Sequence, residues 1–103
     1  MALAVTVQVQ GGKANLSLSG RFDFSAHGEF RRTYEEVMKQ EGVKGLDVDL
    51  GGVDYIDSSA LGMLLLLKES ADRAKHPLAL VNCRGAVRRV LEVANFTKLF
   101  TLH

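Results

Sequence analysis

Two adjacent hydroxyls, Ser58 and Ser59, follow carboxylates at Asp47, Asp49, Asp54 and Asp57, and no other stretch concentrates so many groups able to do chemistry. A serine hydrolase would need a base beside the nucleophile and usually a strained Gly-x-Ser-x-Gly turn. Asp57-Ser58-Ser59-Ala60-Leu61 is not that turn, and His27, His76 and His103 are scattered along the chain. A receiver domain would accept phosphoryl on an aspartate at a strand end, but needs an acidic pair after its first strand to hold Mg²⁺. Val5 to Lys13 contains no acid. There is no Gly-x-x-x-x-Gly-Lys loop, no Gly-x-Gly-x-x-Gly after a strand and no Cys/His cluster with zinc spacing, so no catalytic residue, metal or cofactor is expected. Cys83, with only Arg84 as a basic neighbour, reads as a small buried side chain rather than a reactive thiol. What remains is a hydroxyl placed to cap a helix or to accept a phosphoryl group.

The elements around it follow from periodicity. Leu3, Val5, Val7 and Val9 alternate with small or polar residues, Gly11-Gly12 supplies a turn, and Leu16, Leu18 and Phe22 resume the alternation. This pattern predicts a hairpin of residues 3–10 and 13–21. Ser25 is placed to cap a helix from Ala26 to about Gln40, with Phe30, Tyr34, Val37 and Met38 at helical spacing. Leu46, Val48 and Leu50 give a third strand whose exit at Gly51-Gly52 opens an acidic loop. A helix of residues 58–74 follows, and His76-Pro77 breaks it. Leu78 to Val81 reads as a strand buried on both faces, and Gly85 to Ala94 as a helix with Val87, Val90, Leu91 and Ala94 inward and Arg84, Arg88 and Arg89 outward. Phe96, Leu99 and Phe100 are expected to close the core over a final strand at Thr101-Leu102. The fold class is α/β, a mixed sheet with helices in the order β-β-α-β-α-β-α-β.

On a wheel of about 100° per residue, Ala60, Met63, Leu64, Leu67, Ala71 and Ala74 form the core stripe of the 58–74 helix. The opposite face holds Ser58, Gly62, Leu65, Glu69 and Arg73, with Leu66 at its edge. Ser58 or Ser59 is placed to cap the helix, with Asp57 complementing its dipole, and the carboxylates are also expected to flank the serine loop and cap the same helix. Leucines and a mid-helix glycine on a solvent face call for a cover, either a neighbouring segment of this chain or a partner.

Composition bounds the partners. The 103 residues suit one domain, spanning 1–103, and 47% hydrophobic with 24% charged residues is ordinary globular material. A net charge of +1 gives no electrostatic reason to expect nucleic acid or an anionic membrane. One cysteine forms no internal disulfide and suits a reducing cytosol, so a cytoplasmic protein is expected. The amino terminus lacks a basic region before an apolar core, and Leu64 to Leu67 is far shorter than the ~20 residues of a membrane span. A monomer or weak dimer is expected.

Val53-Asp-Tyr-Ile-Asp-Ser-Ser-Ala-Leu-Gly62 resembles the signature loop of the STAS domain, and more narrowly that of the bacterial anti-sigma factor antagonists. Gly20-Arg-Phe-Asp23 is similar to the family's Gly-x-Leu-Asp pattern, with Phe22 in place of Leu; Ala60 stands where many members carry Gly. The resemblance implies that Ser58, the first serine after the aspartate, is the phosphoacceptor. It further implies a partner surface of Asp23, Asp57, Ser58, Ser59, Gly62, Leu65 and Leu66, with Asp23 beside Ser58. By the same likeness, an anti-sigma factor with serine kinase activity is the partner and a serine phosphatase resets the switch. Two rival functions are a scaffold or regulatory subunit of a transporter, as some STAS proteins are, and a nucleotide or lipid binder using a groove of the sheet. The phosphoacceptor at Ser58 argues against the first, and the missing phosphate loop against a nucleotide site.

Overall fold

Alternating Val and Leu at the amino terminus build an antiparallel hairpin of β1 (Ala4–Gln10) and β2 (Lys13–Phe22), turning through Gly11 and Gly12 at φ 60° and 83°. Positive φ at both positions is what a tight hairpin turn requires, and glycine adopts it without strain. The computed structural model describes residues 3–103. The chain continues through α1 (His27–Met38), β3 (Gly45–Ile56), α2 (Ser58–Ala74), β4 (Leu78–Val81), α3 (Gly85–Val93) and β5 (Thr101–Leu102), which is the expected order. The strands form one sheet in the order β1-β2-β3-β4-β5, and β2 to β5 run parallel.

Each parallel crossover steps one strand in the same direction, so right-handed connections place all three helices on one face of the sheet. The other face is polar. Leu16, Leu18, Val48, Leu50 and Leu80 are buried beneath the helices, while Asn15, Ser17, Asp47 and Asp49 point the opposite way and are only half-buried. Lys13 Nζ lies 3.6 Å from Asp47 Oδ2 on that side. The single core centres on Phe22 and Phe30, whose rings meet edge-to-face at 5.1 Å, with Tyr34 edge-on to Phe30 at 5.4 Å.

The structure corrects several expectations. Only Leu80 of β4 is buried; Ala79 and Val81 lie half-exposed on the polar face, because a one-sided sheet has no second apolar layer. Ala74 is exposed at the end of α2, where Lys75 takes a left-handed φ of 62° and its N–H, with that of His76, closes the last turn. Leu99 stays 45% exposed, while Phe96 and Phe100 stack at 5.2 Å and are buried. Val9, near the turn end of the edge strand β1, is exposed as well.

Candidate functional site

The acidic stretch expected as a loop is strand. Inward residues of β3 step by two from Leu46 to Val48 to Leu50, then by three to Val53 and again to Ile56. Two register shifts against β2 account for this: Ser17 pairs with Asp49 but Ser19 with Gly52, and Gly20 pairs with Val53 but Arg21 with Tyr55. Each shift puts one extra residue in β3, a bulge that bends the strand and re-aims the side chains beyond it. Around the first bulge, Asp49 Oδ1 accepts the Gly51 N–H at 2.8 Å and Arg84 Nη2 donates to the Gly51 carbonyl at 3.4 Å. Gly52 approaches β2 so closely that a Cβ there would sit 2.9 Å from the Leu18 carbonyl oxygen.

The strands regain register at Phe22 and Ile56, so the next residues, Asp23 and Asp57, leave adjacent parallel strands side by side. Each carboxylate caps the helical turn after it. Asp23, not Ser25, is the cap: its Oδ1 accepts the Ser25 N–H at 3.0 Å and the Ser25 hydroxyl at 2.6 Å, opening a 3-10 turn at Phe24–Ala26 that leads into α1. Arg21 Nε donates to Asp23 Oδ2 at 2.9 Å, and its guanidinium lies 3.8 Å from the Tyr55 ring centroid. The Ser25 hydroxyl above all, helped by the Ser25 N–H and Arg21, holds the Asp23 carboxyl below its ordinary value. Asp57 Oδ1 accepts the Ala60 N–H at 3.0 Å, so the aspartate, and neither serine, is the cap of α2.

That capping bond leaves Ser58 free. It is the first residue of α2 and exposed; Ser59, the second, is half-buried. Among the described residues no side-chain hydrogen bond holds the Ser58 hydroxyl. Gly62, one turn on, faces open space, with nothing within 4 Å of a Cβ built there. Leu65 and Leu66 remain 39% and 43% exposed, so no segment among the described residues covers them fully. Leu66 edges a shallow groove against α1, with His27, Phe30, Tyr34 and Met63, while Leu61 lines a cavity of about 450 Å³ against α3. Sequence reasoning missed Phe24, 73% exposed on the turn after Asp23. It shares parity with Phe22 and so reads as inward; the only contrary signal is the turn-forming Asp23-Phe-Ser25 itself.

No group of three or more His, Cys, Asp or Glu side chains able to hold a metal occurs among the described residues, and no helix there is long and apolar enough to cross a membrane. Cys83 is buried, its thiol pushed above its ordinary value chiefly by that burial.

A family model described as "Mlab, STAS domain" matches residues 5–102. The chain belongs to the STAS domain family. A STAS-domain containing protein of Pseudomonas aeruginosa (strain UCBPP-PA14) is 40% identical over 102 residues, 99% of each chain. The fold is also that of an anti-sigma factor antagonist from Mycobacterium paratuberculosis, with a TM-score of 0.86 at 22% identity over 98% of this chain and 85% of that one. It matches the phosphorylated form of the Bacillus cell fate determinant SpoIIAA with a TM-score of 0.74 at 18% identity, over 97% and 91% of the two chains. Within this STAS domain, the loop from Val53 to Gly62 is the last turn of a bulged strand and the first turn of a helix.

Proposed function

We propose that this STAS domain is a phosphorylation-switched binding protein, an anti-sigma factor antagonist whose phosphoacceptor is Ser58. The observation that carries the reading is the free, exposed hydroxyl at the first position of α2, released from capping by Asp57 and set beside Gly62 and Leu65 on an uncovered face. The kinship of the fold with anti-sigma factor antagonists, one of them in a phosphorylated form, supports it. A phosphoserine adds about −1.5 to −2 charges at a helix N-terminus, where the dipole and free N–H groups favour an anion, so the fold is retained. A partner packed against Ser58, Gly62 and Leu65 would have to desolvate that dianion without pairing it, at several kcal/mol. A loss of about 3 kcal/mol weakens binding more than a hundredfold. The unphosphorylated form then sequesters an anti-sigma factor with serine kinase activity and frees a sigma factor; a serine phosphatase restores it. Asp23, adjacent to Asp57, and the exposed aromatic side chains of Phe24 and Tyr55, which flank these two residues in sequence, would form the rim of the same surface.

The test begins with a pull-down using unphosphorylated protein as bait, followed by phosphopeptide mapping and titration of the recovered kinase. Phosphate on Ser58, constitutive binding by Ser58→Ala and loss of binding by Ser58→Asp, both variants remaining folded, are expected. Phosphate on Ser59, or equal affinity of the two variants, would overturn the switch.

A further inference from the structure

The α3 side of the molecule carries an open apolar trough at the margin of the core, lined there by Leu61, Val90 and Ala94. On α3, Ala86, Arg89, Val90 and Val93 follow the i, i+3, i+4, i+7 spacing of one helix face; Ala86, Arg89 and Val93 are exposed, Val93 by 79%, while Val90 is half-buried against the edge of the core. The fully buried α3 residues are Val87 and Leu91, and Val90 and Ala94 pack against the same core half-buried. Leu61 of α2 forms the opposite wall, and Ala94 completes the lining of the cavity of about 450 Å³. From Ala86 to Ala94 the trough spans about 12 Å, two helical turns. Small side chains at Ala86 and Ala94 and a standing one at Val93 give it the shape into which an amphipathic helix lays anchors one turn apart.

Charge selects among the helices that would fit. Arg89 is the one charged residue of the lining. Arg88 is tied to Glu92 at 3.0 Å and Arg84 reaches the Gly51 carbonyl, whereas no carboxylate among the described residues comes within ion-pair distance of Arg89. A guanidinium at the edge of an alkyl-lined trough favours a carboxylate flanked by apolar side chains, and discriminates against a basic helix by like-charge repulsion.

We propose that the α2–α3 trough is a docking site for an amphipathic helix of a partner protein, which seats apolar anchors between Leu61 and Val93 and places a Glu or Asp on Arg89. Ser58 lies one turn before Leu61 on α2, so a phosphate there adds negative charge at the mouth of a trough made for an acidic helix. This link rests on the phosphorylation switch at Ser58; the trough itself does not.

The probe is a synthetic two-heptad amphipathic helix carrying Leu at i, i+4 and i+7 with Glu at i+3, beside a twin with Lys in place of Glu. Binding is followed by anisotropy and mapped by amide shifts on the full chain. The expected result is shifts centred on Leu61, Val90 and Val93, at least tenfold weaker binding to Arg89→Glu and Val93→Glu, and preference of Arg89→Glu for the Lys twin. Both substituted positions are exposed, so the variants fold. No binding, shifts confined to the α1 side at His27 and Leu66, or indifference to the Arg89 charge overturns the proposal. The kinase recovered by the bait separates the two readings. Loss of its binding on Ser58→Asp with none on Val93→Glu keeps the switch and removes the trough; the reverse pattern keeps the trough and removes the switch.

Discussion

Asp57 and Ser58 could each have capped α2, and which one does so decides whether a hydroxyl is left over. Aspartate and serine have nearly equal preference for the cap, so an Asp-Ser-Ser run leaves the assignment open until the strand's exit angle is known. The bulged end of β3 delivers Asp57 in extended conformation, φ −125°, and its carboxylate takes the Ala60 N–H. Removing the cap by Asp57→Ala should therefore lower stability by about 1 kcal/mol in urea melts, while Ser58→Ala should change it by less than half of that. The same division occurs one strand over, where Asp23 caps and Ser25 supports it. Because the folded Asp23 carboxyl is depressed, its small contribution to stability is present above the ordinary aspartate value and lost as pH falls through the folded value. An NMR titration should give Asp23 a midpoint below that of a free aspartate, and Ser25→Ala should move it back upward.

At the scale of elements, the hairpin, the three helices and the parallel strands follow from apolar spacing, and the α2 wheel correctly separated Leu64 and Leu67 from Leu65 and Leu66. The far half of β3 was hidden because a period of two cannot describe Leu50, Val53 and Ile56, whose steps of three come from pairing against β2. A bulge is a property of two strands, and only one is written in any stretch of sequence. The two glycines of the site therefore behave oppositely. Gly52→Ala pushes a Cβ into the Leu18 carbonyl and should destabilise the domain by about 1–3 kcal/mol. Gly62→Arg points into open space and gains helix propensity, so melting temperature should hold or rise while partner affinity falls at least tenfold, about 1.4 kcal/mol. Melting curves beside calorimetric titrations of both variants check the pair; an unfolded Gly62→Arg would mean that this face packs against the protein itself.

Across the whole molecule, a sheet covered on one face confines the core to the layer beneath the helices and leaves the helices' outer sides open to solvent, where the proposed partner would dock. Leu67, fully buried, and Leu65, exposed, are two residues apart on α2 and belong to these separate layers. Truncating Leu67 to Ala removes packing that the surrounding core cannot fully recover, at about 2–5 kcal/mol. That is a large share of the roughly 5–15 kcal/mol typical of a domain. Leu65→Glu buries nothing and should leave the unfolding free energy measured in urea within about 0.5 kcal/mol of the parent. Partner binding should reverse the ranking. Below its melting transition, Leu67→Ala keeps the outer surface of α2 and should bind within about twofold of the parent, since a loss of stability that leaves the native state populated barely reduces the competent fraction. Leu65→Glu places an unpaired charge at the contact and should lose tenfold or more. Measuring unfolding and binding for both at one temperature tests the separation: if Leu67→Ala weakens binding as much as Leu65→Glu does, core packing and the recognition face are coupled, and the helix transmits between them.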